Sequence, residues 1–204
     1  EFFKAMVSCL LTTQQRSGPN SSVTKFINTS PFPLNYRLCV NQTKLLESAQ
    51  QVISNFGGLR RSNKIANEIT TNLKFMEAGL WKEISMIMND LLTSDSPIKE
   101  KEAAEFINNN FKGFGPKQSR NLLQSLGLTK YEIPIDSRIT KWLNKLGFPV
   151  ILSATALSDI NYYNFVSDGF QMLCKEGNIK PCVLDAIIFV SFDRDEWTDK
   201  NVVW

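Results

Sequence analysis

Two residues in the middle of the chain have the types and spacing for covalent chemistry beside a phosphate, Lys117 and Asp136. Lys117 follows Lys112-Gly113-Phe114-Gly115-Pro116, and Asp136 stands nineteen positions later within Ile133-Pro134-Ile135-Asp136-Ser137-Arg138. A lysine amine attacks an electrophilic carbon once it has lost its proton, and a carboxylate can stabilise positive charge or accept that proton. The same two residues also read as a phosphate contact and a helix cap, and their types alone leave both readings open.

The elements that must position them can be read from the surrounding pattern. Ala103, Ala104, Phe106 and Ile107 predict a helix ending near Phe111, and a second helix begins at Pro116 and runs through Leu122, Leu123 and Leu126 to a stop at Gly127. Gly113 and Gly115 flank Phe114 in the short connection. Their freedom predicts main-chain N–H groups turned outward at the start of the second helix, a phosphate cradle, although a plain tight turn would use the same residues. Pro134 predicts an extended approach, and Asp136 then caps a third helix carrying Ile139, Trp142, Leu143 and Leu146. Elsewhere apolar residues recur at helical spacing: Phe2, Met6, Cys9 and Leu10; Leu45, Ala49, Val52, Ile53 and Phe56; Leu80, Trp81, Ile84, Ile87 and Leu91. Ser96-Pro97 followed by Glu100 and Glu102 predicts a helix start with acids near the positive end of its dipole. The expected fold class is all-α.

Phe111-Lys112-Gly113-Phe114-Gly115-Pro116-Lys117 followed by Pro134-Ile135-Asp136 resembles the helix-hairpin-helix and downstream aspartate of the DNA glycosylase superfamily that includes endonuclease III and the 8-oxoguanine DNA glycosylases. Upstream, Leu10-Leu11-Thr12-Thr13-Gln14-Gln15 resembles that superfamily's first core helix, and Gly58-Leu59-Arg60-Arg61-Ser62 its wedge loop. The anchors run from about residue 2 to residue 147, and the short archaeal-type 8-oxoguanine glycosylases are the most similar in pattern.

The resemblance implies a two-lobed helical domain over residues 1–204, with lobe one at about 20–134, including the hairpin 111–117, and lobe two formed by 1–19 and 135–204. It implies a glycosylase with an associated lyase activity acting on double-stranded DNA that contains a damaged base. Lys117 would form the Schiff base, and Asp136 would stabilise the sugar cation and assist proton transfers in a chain without histidine. Gly113, Phe114 and Gly115 would hold the backbone and Gln14 would face the orphaned base. Leu59 would fill the stack, and Arg60, Arg61 and Arg138 would contact phosphate or the partner base, Arg138 equally serving as a salt-bridge partner. Phe189, Phe192, Trp197 and Trp204 are candidates to stack on the flipped base, with the core as their plainer place.

Two features depart from the pattern. Arg138 stands where the superfamily commonly carries a histidine, and the last residue is Trp204 where archaeal-type enzymes tend to end in lysine. The excised base is therefore expected to be 8-oxoguanine first, with an oxidised pyrimidine as the alternative. A DNA-binding module without catalysis and a glycosylase without lyase activity also remain open.

The resemblance further implies an intracellular DNA-binding protein, in the cytoplasm, nucleoid or nucleus, acting as a monomer. The net charge is only +3, but 112–145 concentrates Lys112, Lys117, Arg120, Lys130, Arg138, Lys141 and Lys145 against Glu132 and Asp136. Cys9, Cys39, Cys174 and Cys182 lack the short paired spacings of a zinc or iron–sulfur site, so no metal and no cofactor are expected. The longest apolar runs are too short for the roughly 20 residues that a membrane helix needs. The chain starts in a helix-like pattern without a signal sequence, and the N-x-S/T matches at Asn20, Asn28 and Asn41 are expected to be incidental.

Overall fold

The computed structural model describes residues 1–192, and every regular element among them is helical. Trp197 and Trp204, named above as stacking candidates, lie outside the described residues. Among the described residues no helix is long and apolar enough to cross a membrane.

By internal packing the chain divides into two units. The first comprises Glu1–Met86 and Phe111–Gly113. Its centre is α1 (Phe2–Thr12), whose Phe2, Phe3, Met6, Val7, Ser8, Cys9, Leu10 and Leu11 are all buried. A helix this apolar all round is stable only when other elements surround it. Around it lie α2 (Ser22–Ile27), α3 (Tyr36–Val40), α4 (Leu45–Phe56) and α5 (Ser62–Phe75). Leu45, Ala49 and Ile53 supply the buried stripe of α4, and Ile65, Ala66, Ile69 and Leu73 that of α5. Ser21 and Asn35 cap α2 and α3 by accepting from the amides of Thr24 and Leu38 at 3.1 and 3.0 Å. A π turn at Met76–Leu80 leads into α6 (Trp81–Thr93), where the division falls.

The second unit comprises Ile87–Asn110 and 114–192. It holds α7 (Pro97–Asn110), α8 (Pro116–Ser125), α9 (Ser137–Leu146), α10 (Ile160–Glu176) and α11 (Pro181–Phe192). Its core gathers Ile133, Ile135, Ile139, Leu143, Tyr163, Val166, Phe170 and Ile188. The predicted helix, hairpin, helix and capped third helix all form at the expected places.

This division cuts the chain differently from the lobes expected above. Residues 1–19 pack with 20–86, because the buried faces of α1 and α5 meet and the Phe2 ring meets those of Phe111 and Trp81 at an angle, with centroids 5.7 and 5.8 Å apart. Residues 87–110 and 114–134 pack with 135–192.

Candidate active site

The second unit brings Lys117 and Asp136 together. Lys117 occupies the first turn of α8, with its side chain 45% exposed and Nζ 3.8 Å from Asp136 Oδ2. Asp136 caps α9 as expected. Its Oδ1 accepts from the Arg138 amide at 2.7 Å and the Ile139 amide at 3.4 Å, while Oδ2 accepts from Arg138 Nε at 2.9 Å and Nη2 at 2.5 Å. Burial alone would push this carboxyl up, but the Arg138 hydrogen bond and the charges of Lys117 and Arg138 hold it below the usual aspartate range. Asp136 therefore carries a full negative charge at neutral pH.

The segment approaching Asp136 is fixed residue by residue. Glu100 of α7 accepts the amides of Lys130, Tyr131 and Glu132 at 2.9, 2.8 and 2.8 Å. The Tyr163 hydroxyl of α10 donates to the Ile133 carbonyl and accepts from the Ile135 amide, each at 2.7 Å. Between these clamps, Glu132 is buried and pairs with Arg120 Nε. Arg120 is itself fully buried, donates to the Pro116 carbonyl and Asn164 Oδ1 at 3.1 Å each, and lies 4.5 Å over the Tyr163 ring. Ser167 and Gln171 of α10 complete the shell of Glu132 at 3.3 and 2.8 Å. One turn of α8 separates Arg120 from Lys117 and three residues separate Glu132 from Asp136, so this buried pair sets the register of the two candidate groups.

Three residues take definite places here. Arg120 belongs to the interior rather than to a basic surface, because each of its three side-chain nitrogens finds a partner inside the fold. Arg138 is the salt-bridge partner of Asp136, its guanidinium stacked 3.9 Å from the Phe189 centroid. Glu100 is buried under the 130–132 segment and serves those three amides, not just its own helix dipole.

In the first unit, α5 fastens the hairpin approach. Asn72 accepts from the Lys112 amide at 2.7 Å and donates to the Lys112 carbonyl at 2.9 Å. Gly113 has φ +87°, and a Cβ there would lie 2.7 Å from both Glu68 Cδ and Leu10 Cδ2. Gly115, across the division, is extended at φ −98° with open space where a Cβ would stand. Only Gly113, then, uses the conformational freedom expected of both. Phe114 is buried, which leaves its backbone as the part available to a ligand.

Gln14 is exposed in the left-handed region at φ 58°. The neighbouring Gln15 closes α1: its Nε2 donates to the Leu11 carbonyl and its Oε1 accepts from the Arg60 amide at 2.8 Å. Leu59 is half-buried and Arg60 exposed. Arg61, also left-handed at φ 62°, is turned inward: Nη1 donates to the Thr13 carbonyl at 3.1 Å and Nη2 lies 3.8 Å from Glu68 Oε1. Phe192 lies 5.9 Å from Lys145 Nζ.

One group that acts electrostatically on Lys117 and Asp136 escapes a sequence reading. Asp185 of α11 accepts from Gln124 Nε2 at 3.0 Å, and burial together with repulsion from Asp136 pushes its carboxyl up to about 6, against the pull of Gln124, Arg138 and Lys117. Phe189, one turn further, carries Arg138. The signal for Asp185 was an acid interrupting an apolar helix, Val183 to Phe192. All four cysteines are free thiols, and among the described residues no cluster of three or more His, Cys, Asp or Glu could hold a metal ion.

No family model matches the chain, and no match is found among curated proteins. Among solved structures, the chain is similar to the crystal structure of Methanocaldococcus jannaschii 8-oxoguanine DNA glycosylase, with a TM-score of 0.70 and 20% identity over 97% of this chain and 80% of that one. The two share a fold, so the all-helical architecture is that of a known DNA glycosylase.

Proposed function

We propose that this chain excises an oxidised base from double-stranded DNA and then cleaves the strand, with 8-oxoguanine as the first-choice lesion. The reading is carried by one observation: the Lys117 amine stands 3.8 Å from a half-buried, ionised aspartate in a chain that shares the fold of an 8-oxoguanine DNA glycosylase.

Breaking the C1′–N bond sends its electron pair to the departing base and leaves positive charge on the sugar. Asp136, held anionic by Arg138 and its helix cap, stabilises that charge. Unprotonated Lys117 forms a C1′–Nζ bond, one nitrogen proton passes to O4′ as the C1′–O4′ bond breaks and the ring opens, and loss of the second nitrogen proton to the departed base leaves the Schiff base. The imine acidifies the C2′ proton, whose removal expels the 3′ phosphate. Water then hydrolyses the imine and frees Lys117.

The loops of the first unit supply recognition. Exposed Gln14 faces the orphaned partner base, Leu59 fills the vacated stack, and Arg60 contacts phosphate. Arg61 acts by holding this loop. The backbone of Gly113, Phe114 and Gly115 and the α8 N-terminus receive a phosphate, and the open space at Gly115 suits that close approach.

Borohydride trapping over duplexes that each carry one modified base tests this reading. A covalent adduct is expected with the unaltered chain, on the 8-oxoguanine duplex first, and none with Lys117→Gln. Salt-dependent DNA binding without any adduct would reduce the protein to a binding module. Base release that survives Lys117→Gln without strand cleavage would make the lysine auxiliary.

A further inference from the structure

The chemistry above gives Lys117 a proton to lose and Asp136 no means of taking it. Both Asp136 oxygens are committed, Oδ1 to the Arg138 and Ile139 amides and Oδ2 to two guanidinium nitrogens. Protonating either oxygen would break the cap of α9 or the Arg138 pair.

A second carboxylate lies in the same neighbourhood with capacity to spare. Asp185, in the first turns of α11, receives one hydrogen bond, from Gln124 to Oδ2 at 3.0 Å, and among the described residues its Oδ1 accepts none. Gln124 stands on α8 seven residues after Lys117, two turns along the same face. Phe189, one turn after Asp185, supports the guanidinium that holds Asp136. Three helices thus converge on two cations, Lys117 and Arg138, and two carboxylates of different environment.

We propose that Asp185 is the proton acceptor of this site, taking the proton that the Lys117 ammonium sheds before its nitrogen attacks C1′, while Asp136 stays ionised. The inference rests on Lys117 being the nucleophile. The transfer converts Lys117–NH3+ and Asp185–COO− into Lys117–NH2 and Asp185–COOH and needs no other reactant. Lys117, long and half exposed, passes the proton directly on turning toward α11 or through one water, and regains it when the imine is hydrolysed.

The electrostatics divide the work in the same way. Asp136 is held low, while burial and the neighbouring Asp136 charge place Asp185 at about 6, where a carboxyl exchanges its proton near neutral pH. The charged groups acting on Asp185 are Lys117 from α8 and Asp136 and Arg138 from α9. Tyr163 of α10 and Cys182 of α11 also sense it, and burial keeps both neutral in this range.

The test uses the full chain and a duplex with a single abasic site, whose sugar aldehyde makes the identity of the excised base irrelevant. Single-turnover cyanoborohydride trapping is followed from about pH 5 to 9. The unaltered chain is expected to speed up through an inflection near 6, as Asp185 ionises. Asp185→Asn is expected to lose that inflection and to trap about 10- to 100-fold more slowly at neutral pH, with unchanged duplex affinity. Asp185→Glu should restore the rate with a displaced inflection. An Asn variant with the original rate and profile overturns the proposal, as does an unmoved inflection in the Glu variant, which decides alone if the Asn variant does not fold. Absence of any adduct from the unaltered chain would instead overturn the nucleophile reading on which the proposal rests.

Discussion

Asp136 and Asp185 respond to the same cations with opposite consequences for stability. Asp136 has a folded value below its ordinary one, so its contribution is present above the usual aspartate range and is lost as pH falls through the lowered value. Asp185 has a folded value of about 6 against an ordinary 3.8, so its contribution is fully present below 3.8 and is lost as pH rises through 6. Asp136→Asn is therefore expected to cost about 1–3 kcal/mol at neutral pH by removing the charge that pairs with Arg138. Asp185→Asn keeps the Gln124 hydrogen bond, removes a poorly solvated charge and is expected to add about 1–3 kcal/mol. Denaturant unfolding of both variants at acid and neutral pH checks the signs, and equal effects would contradict the division of roles. Lys117 and Asp136 were legible as a pair because hairpin and cap signals lie within a few residues of each. Asp185 was not, because its neighbours lie some 50 to 70 positions away in the chain.

At the scale of elements, the hairpin is held from behind by α5. Asn72 takes both backbone groups of Lys112, and Glu68, one turn earlier, lies under Gly113. Gly113→Ala meets a left-handed backbone and two 2.7 Å contacts, with Glu68 Cδ and Leu10 Cδ2, and is expected to destabilise the fold by about 1–3 kcal/mol. Gly115→Ala meets neither obstacle. It should leave stability within about 0.5 kcal/mol while weakening duplex binding severalfold, because its methyl group would fill the space left to a phosphate. Thermal unfolding and DNA titration of the two variants separate these effects; equal destabilisation would remove the distinction. The sequence pattern placed α7, α8 and α9 correctly from periodicity, Pro116 and Asp136. It could not tell that Arg61 and Gln15 would fasten the 58–61 loop to the end of α1, since that depends on how two distant turns meet.

Across the whole second unit, a buried ion pair ties together α8, α10 and the segment that leads to Asp136. Removing one partner of such a pair strands the other charge, so Arg120→Ala is expected to cost about 3–5 kcal/mol. In a chain of this size that lowers the unfolding midpoint by roughly 10 °C. A midpoint within a few degrees of the unaltered chain would show that Glu132 finds other compensation. The all-helical class, the hairpin, the start of α8 and the cap of α9 were determined by the sequence itself, because each follows from residues a few positions apart. Tertiary structure decided which charges lie inside and which partners they keep. It made Arg120, Glu132 and Glu100 structural, turned Arg138 onto Asp136 and Arg61 onto the loop, and brought Asp185 within the electrostatic field of the candidate nucleophile. The physical reason is that burial and charge interaction depend on distance in space, and helices far apart in the chain supply the neighbours that set both.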